Sequence, residues 1–194
     1  MDEPRVSIVL PFRNASQYLS ECVNSIQDQT IGSWELIAVN DYSSDQSLQI
    51  LNGFAKKDFR IKVYHSPGIG IVSALNHGLK CSKAQIIARM DADDLMEPKR
   101  LELQLGYLQQ NQNLGLVSSL TEHFPKSDIN RGYDLYVDWT NNILTHDEHF
   151  DHRFIDSTFA HPSATFRKCL IKKFGSYRDG EFPEDFELWL RWLQ

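Results

Sequence analysis

The chain has 194 residues, 41% of them hydrophobic and 24% charged, with a formal net charge of -6. That length sustains one domain with a full core, and the acidic balance runs against a nucleic-acid binder, which needs a basic face. No apolar run reaches the ~20 residues that span a bilayer, Pro4 and Arg5 lead straight into a strand-like run where a signal peptide would need an apolar core, and the widely spaced Cys22, Cys81 and Cys169 fit no metal or disulfide framework, so a cytoplasmic protein with free, buried thiols is expected, with peripheral attachment to the inner membrane face left open.

Val6–Leu10 is a short apolar run closed by Pro11, the pattern of a buried strand. Ser16 stands where it can cap a helix whose apolar face is Leu19, Val23 and Ile26. Leu36–Val39 reads as a second strand, and Ser44 as the cap of a helix carrying Leu48, Leu51 and Ala55. Ile61–Tyr64 follows as a third strand, then a helix with Val72, Leu75 and Leu79, then a fourth strand at Gln85–Met90. Pro98 suits the first turn of a helix bearing Leu101, Leu105 and Leu108. This alternation predicts an α/β fold, a mostly parallel sheet flanked by helices with right-handed crossovers.

The second half is less regular. Leu116–Leu120 is expected as a strand, residues 125–140 as loop for want of periodicity, residues 141–155 as a polar helix, and Ala164–Phe166 as a strand. Pro183 opens a last helix with Phe186, Trp189 or Leu190, and Leu193 inward. That helix meets neither cap nor breaker before Gln194, so the chain reads as part of something longer.

Ligands of parallel sheets bind beyond the carboxyl ends of the strands, and three acidic groups fall there. Asn40-Asp41-Tyr42-Ser43-Ser44-Asp45 follows the second strand and suits either a base or ribose contact or plain helix capping. Asp91-Ala92-Asp93-Asp94 follows the fourth; Asp91 and Asp93, two apart in extended chain, converge. Converging carboxylates repel unless a cation sits between them, and oxygen donors select Mg²⁺ or Mn²⁺. Glu184-Asp185 lies in the first turn of the last helix, where acids complement the helix dipole or serve as a general base. Gly68-Ile69-Gly70 invites comparison with a dinucleotide fingerprint, but Ser73 stands at its third glycine and it follows the third strand rather than the first. His161 is by default a buried, hydrogen-bonded histidine, with an acceptor contact or a metal ligand as the alternative. Trp139, Trp189 and Trp192 suit a core or interface, Trp139 being the one in irregular surroundings.

Taken in order, these segments resemble the family 2 inverting glycosyltransferases of GT-A (Rossmann-like) fold. Val6–Asn14 resembles the family's opening strand and Pro-x-x-Asn turn, Ser25–Thr30 its S-x-x-x-Q-T helix end, and Trp34–Asp45 its acidic second-strand segment. Gly70–Gly78 resembles its G-x-x-x-A-x-N-x-G helix, Ala88–Asp94 its metal motif, and His161-Pro162, Tyr177-Arg178 and Glu184–Arg191 its closing pattern. The resemblance implies a single domain over residues 1–194, with a nucleotide-sugar half at 1–120 and an acceptor and base half at 121–194. Pro11, Asn14 and Asp41 would hold the nucleotide, Asp91 the ribose or metal, Asp93 the Mn²⁺ or Mg²⁺, and Asp185 would be the catalytic base with Glu184 beside it. The donor would be a nucleotide-diphosphate sugar, UDP or dTDP favoured, and the acceptor a saccharide or lipid-linked hydroxyl in surface polysaccharide synthesis. Asn40 stands where Asp is commoner and Tyr42 where Gly is frequent, so that turn is expected to differ and to crowd the base pocket. The competing expectations are a sugar nucleotidyltransferase, which lacks its Gly-rich basic loop at Pro11–Ser16, and a non-catalytic sugar- or partner-binding domain.

Overall fold

The computed structural model describes residues 3–124 and 131–193. One six-stranded sheet runs β3-β2-β1-β4-β6-β5, built from β1 (Val6–Phe12), β2 (Trp34–Asn40), β3 (Ile61–His65), β4 (Ile86–Arg89), β5 (Leu116–Val117) and β6 (Thr165–Arg167). The first four strands are mutually parallel, and β6 lies antiparallel to both of its neighbours. The expected mostly parallel α/β sheet is therefore present, with one reversed strand supplied by the second half of the chain.

Period-two alternation sorts the strand side chains onto two faces. Ile8, Leu10, Leu36, Ala38, Ala88 and Met90 pack with α1 (Leu19–Gln27), α2 (Ser47–Lys57) and α4 (Arg100–Gln110). Val9 and Ile87 face α3 (Ile71–Cys81) and α8 (Glu184–Trp192), as does Ile37 with Ala74. Both faces are covered, as a parallel sheet requires. Strand β1 continues through Pro11, because Val9 faces β4 through its carbonyl to the Met90 N–H and Phe12 faces β2 through its carbonyl to the Asp41 N–H. The donor that Pro11 lacks would therefore point past the last β1–β4 pair, Val9–Arg89, where no partner strand waits.

Several local expectations need correction. Neither Ser16 nor Ser44 caps a helix: the caps are Tyr18 and Gln46, without side-chain bonds. Asp45 does that work instead, accepting the Ser47 N–H at 2.9 Å and the Ser16 N–H at 3.0 Å. Helix α4 starts at Arg100, past Pro98, and β5 stops at Val117. The expected loop at 125–140 is helical from Arg131, as α5 (Arg131–Asn141) with Val137 and Thr140 buried, and its remainder at 125–130 lies outside the described residues. The polar helix expected at 141–155 is instead α6 (His146–His152), opened by a capping box in which Thr145 Oγ1 accepts the Glu148 N–H and Glu148 Oε2 accepts the Thr145 N–H. A short α7 (Cys169–Phe174) was not expected. Helix α8 buries Leu188 with Trp189, rather than Phe186. Of the thiols only Cys22 is buried, Cys81 is half-buried and Cys169 is exposed. No described helix is long and apolar enough to cross a membrane.

Candidate active site

The strand order turns back between β1 and β4, the place where an open α/β sheet leaves a crevice at its carboxyl edge. A cleft of about 340 Å³ occurs there, lined by Pro11–Ala15, Tyr18, Asp41, Ile71 and Asp91–Asp93. All five residues assigned to nucleotide or metal, Pro11, Asn14, Asp41, Asp91 and Asp93, stand on its wall.

One side of the cleft is a rigid pair of loops. Asn14 takes a left-handed backbone (φ 50°), which its short polar side chain tolerates. Its Oδ1 accepts the Ser44 N–H at 2.8 Å and its own N–H donates to Ser43 Oγ at 3.1 Å. Asn40 Oδ1 accepts the Ser43 N–H at 3.0 Å, and Ser47 Oγ the Ala15 N–H at 2.8 Å. Asp41 is buried; Oδ1 accepts the Gly70 N–H at 2.9 Å and Oδ2 lies 3.7 Å from Arg13 Nη1. The Gly68–Gly70 segment is thus tied to Asp41 and, through Gly68 N–H to Ser73 Oγ at 3.0 Å, to its own helix. Tyr42 adopts φ 54°, the conformation a glycine would supply, so the turn is kept. Its ring is 54% exposed and absent from the cleft wall, which corrects the expectation that it crowds the pocket.

The other side is the acidic turn after β4. Asp91 to Asp94 form a turn rather than extended chain, with the Asp94 N–H 3.4 Å from the Asp91 carbonyl. Asp91 and Asp93 therefore both line the cleft because the backbone curls, not because strand alternation aligns them. Asp94 points inward, where burial first and then the charges of Asp91 and Asp93 push its carboxyl up to about 6. Cys22 Sγ donates to the Asp91 carbonyl at 3.3 Å, and burial pushes that thiol far up, so it is an inert support. No group of three or more His, Cys, Asp or Glu forms a ready cage among the described residues. Two hard oxygen donors with excess negative charge behind them fit a Mg²⁺- or Mn²⁺-type ion whose remaining ligands come from phosphate and water.

Two buried arginines, which the sequence reading passed over, stand behind this turn. Arg89, 2% exposed, places Nη1 2.5 Å from Asp91 Oδ1, and its Nε has no hydrogen-bond partner among the described residues. Arg100 donates to the Arg89 carbonyl at 3.0 Å and to Gln104 Oε1 at 3.2 Å; burial draws it down to about 10, still cationic at neutral pH. The available signal was Arg89 itself, a charge inside the otherwise apolar run Ile86-Ile87-Ala88.

Glu184 and Asp185 open α8. Asp185 Oδ1 accepts its neighbour's N–H, from Phe186, at 2.8 Å, and Oδ2 faces Ser157 Oγ at 3.4 Å. Burial raises the Glu184 carboxyl, Asp185 adds to that, and Arg89 and Asp91 act on it from the β4 side, which puts the α8 pair within electrostatic reach of the acidic turn. His161 lies in the core rather than on the cleft, its Nε2 2.7 Å from the Tyr177 hydroxyl and its ring against Trp189, with burial holding it neutral. Helix α5 contributes Tyr136, whose hydroxyl donates to the Ser157 carbonyl at 2.9 Å and is pushed up to about 12 by burial and by Asp156 and Asp185.

The family model for "Glycosyl transferase family 2" matches residues 7–174. An uncharacterized glycosyltransferase of Haemophilus influenzae is 30% identical over 96% of this chain and 59% of its own length. Among solved structures, Staphylococcus aureus TarS (residues 1–349) superposes with a TM-score of 0.78 at 17% identity, over 97% of this chain and 55% of TarS. The mannosyltransferase PcManGT of Pyrobaculum calidifontis, in complex with GDP-Man and Mn²⁺, superposes at 0.70 with 20% identity over 97% of this chain and 51% of its own. The chain thus spans between about half and three-fifths of these relatives. At such identities the two structures establish the shared GT-A architecture.

Proposed function

The chain belongs to glycosyl transferase family 2, and from that premise we propose that it moves a sugar from a nucleotide-diphosphate donor, UDP or dTDP in type, to the hydroxyl of a free or lipid-linked saccharide, with inversion, in surface polysaccharide synthesis. The observation that carries this reading is the cleft at the β1/β4 reversal, in which Pro11, Asn14 and Asp41 face Asp91 and Asp93. The loop pair 13–16 and 43–47 is knitted by its own hydrogen bonds and provides a preformed wall for a base and ribose. Residues 1–120 would hold the donor and residues 121–194 the acceptor and the base.

Asp93, with Asp91, would hold Mn²⁺ or Mg²⁺, which when bound supplies positive charge to the departing diphosphate. Arg89 anchors one oxygen of the Asp91 carboxylate through their ion pair. In the reaction, the acceptor oxygen forms a bond to the anomeric carbon while the bond from that carbon to the diphosphate oxygen breaks. The electron pair leaves with the nucleoside diphosphate, and the acceptor proton passes to Asp185. A single displacement inverts the anomeric centre. His161, buried and bonded to Tyr177, takes no part in the step and supports α8 from the core.

Calorimetric titration with UDP, dTDP, GDP and NAD, each with and without Mn²⁺, tests this. Binding of UDP or dTDP that requires Mn²⁺ and is lost in Asp93→Ala is the expected result; binding of NAD alone, or of none of the four, refutes it. In the full-length protein Asp185→Asn should lower transfer by about 10²–10⁴-fold while leaving UDP affinity intact, the range of a lost general base. Near-full transfer in a folded Asp185→Asn protein would remove Asp185 from the role.

A further inference from the structure

A second cavity, of about 130 Å³, lies between the segment after β5, the end of α5 and α6, and shares no residue with the donor cleft. Ser118, Ser119, Asn141, Ile143, His149 and Phe159 are on its wall, and no Asp, Glu, Lys or Arg lines it. Among the described residues the Ser118 and Ser119 hydroxyls carry no hydrogen bond. His149 commits Nδ1 to Thr158 Oγ1 at 2.9 Å, which leaves Nε2 without a partner among the described residues, and burial keeps the ring neutral. The wall is set before any ligand arrives: the Asn141 amide donates to the Thr121 carbonyl at 2.7 Å and accepts the Thr121 N–H at 3.0 Å.

These groups select a chemistry. Two free hydroxyls and a neutral imidazole can each donate or accept, which suits an uncharged polyol. Phe159, 5% exposed and held 5.4 Å from His149 and 4.8 Å from Trp189, forms a fixed apolar back to the cavity. A phosphate or carboxylate placed here would lie uncompensated in a partly desolvated site. The position also fits: the Phe159 ring on its wall packs against Trp189, one turn after Asp185 in α8.

We propose that this cavity binds a neutral sugar ring of the acceptor. The proposal rests on the transferase reading above, because it takes the α8 carboxylates as the reacting end. It predicts that acceptor and donor are recognised at separate walls, the acceptor through residues on β5–α6.

Saturation-transfer NMR with Mg²⁺ and the methyl glycosides of glucose, galactose, mannose and N-acetylglucosamine tests it without requiring turnover. At least one glycoside should bind the wild type, and the double variant Ser118→Ala/Ser119→Ala should weaken it about tenfold, the size of one or two lost hydrogen bonds. UDP affinity measured on the same variant checks that it is folded. Binding of none of the four glycosides, or binding unaltered in the folded double variant, overturns the proposal. Displacement of the bound glycoside by a saturating UDP-sugar would reassign the cavity to the donor's sugar and equally overturn it. Glycoside binding without any nucleotide binding would sink the transferase reading and leave a sugar site standing, so the two failures are distinguishable.

Discussion

Single side chains in this protein act as ties between distant loops, and Asp58 illustrates how far charge can serve stability. It accepts Arg60 Nη2 at 2.7 Å, Arg60 Nε at 3.0 Å and Gln27 Nε2 at 3.1 Å, joining the end of α1 to the end of α2. Those bonds hold its carboxyl down at about 2, below the ordinary 3.8. A depressed carboxylate stabilises the fold fully above the unfolded value and loses that contribution as pH falls through the folded one. Asp58→Asn should therefore cost about 1–3 kcal/mol at pH 7, the range for hydrogen bonds to a charged group. The difference should shrink between pH 4 and pH 2; thermal melts of both proteins over that window check it. At this scale the acids were the legible part of the site. Asp41, Asp91 and Asp93 announced themselves by standing after apolar runs. Arg89 showed only as a break in an apolar run and Arg100 not at all, because a buried cation resembles a surface one until the packing around it is known. The turn at Tyr42 misled for a related reason: the residue type suggests a blocked pocket, yet a left-handed backbone turns its ring outward.

Among elements, α3 approaches the sheet more closely than an ordinary side chain would permit. A Cβ on Gly78 would lie 2.5 Å from Val9 Cγ1 and 3.5 Å from Val39 Cγ2, both on central strands. Val9 is β-branched and hemmed in by core, so it has little room to rotate away. Gly78→Ala should destabilise by about 1–3 kcal/mol despite the better helix propensity of alanine; a lower urea midpoint with unchanged slope would verify this, and an equal or higher midpoint would contradict it. The first four strands and four helices were legible because apolar residues recur with periods of two and 3.6 along them. Helix α5 was not, since its buried Val137 and Thr140 are outnumbered by Asp134, Asp138 and exposed Tyr133 and Leu135. Its burial is decided by partners the local pattern does not contain. The start of α6 was within reach, because Thr145 and Glu148 spell a capping box.

At the scale of the whole molecule the two halves share one sheet, since β6 enters between β4 and β5. Trp34 reports on the first half, Trp139, Trp189 and Trp192 on the second. If the sheet is one cooperative body, urea unfolding followed by tryptophan emission and by far-ultraviolet circular dichroism should give coincident curves. Separated transitions would mean that the β1–β4 half persists when the rest has melted. The α/β class was readable from strand and helix alternation, but the reversal of β6 was not, because antiparallel insertion depends on long-range pairing that a three-residue strand does not encode.

That insertion has a consequence for the order in which the molecule assembles. The outer edge of β4 stays unpaired until the chain from residue 90 to residue 164 has been made and brought back, through the hydrogen bond from the Arg89 N–H to the Ala164 carbonyl and the pairs Ile86–Arg167, Ile87–Phe166 and Ala88–Thr165. Closing so long a loop is slow compared with the local β-α-β steps before it. Through that interval a nascent chain carries a bare, apolar strand edge, the kind of surface that pairs with a stranger when its own partner is late.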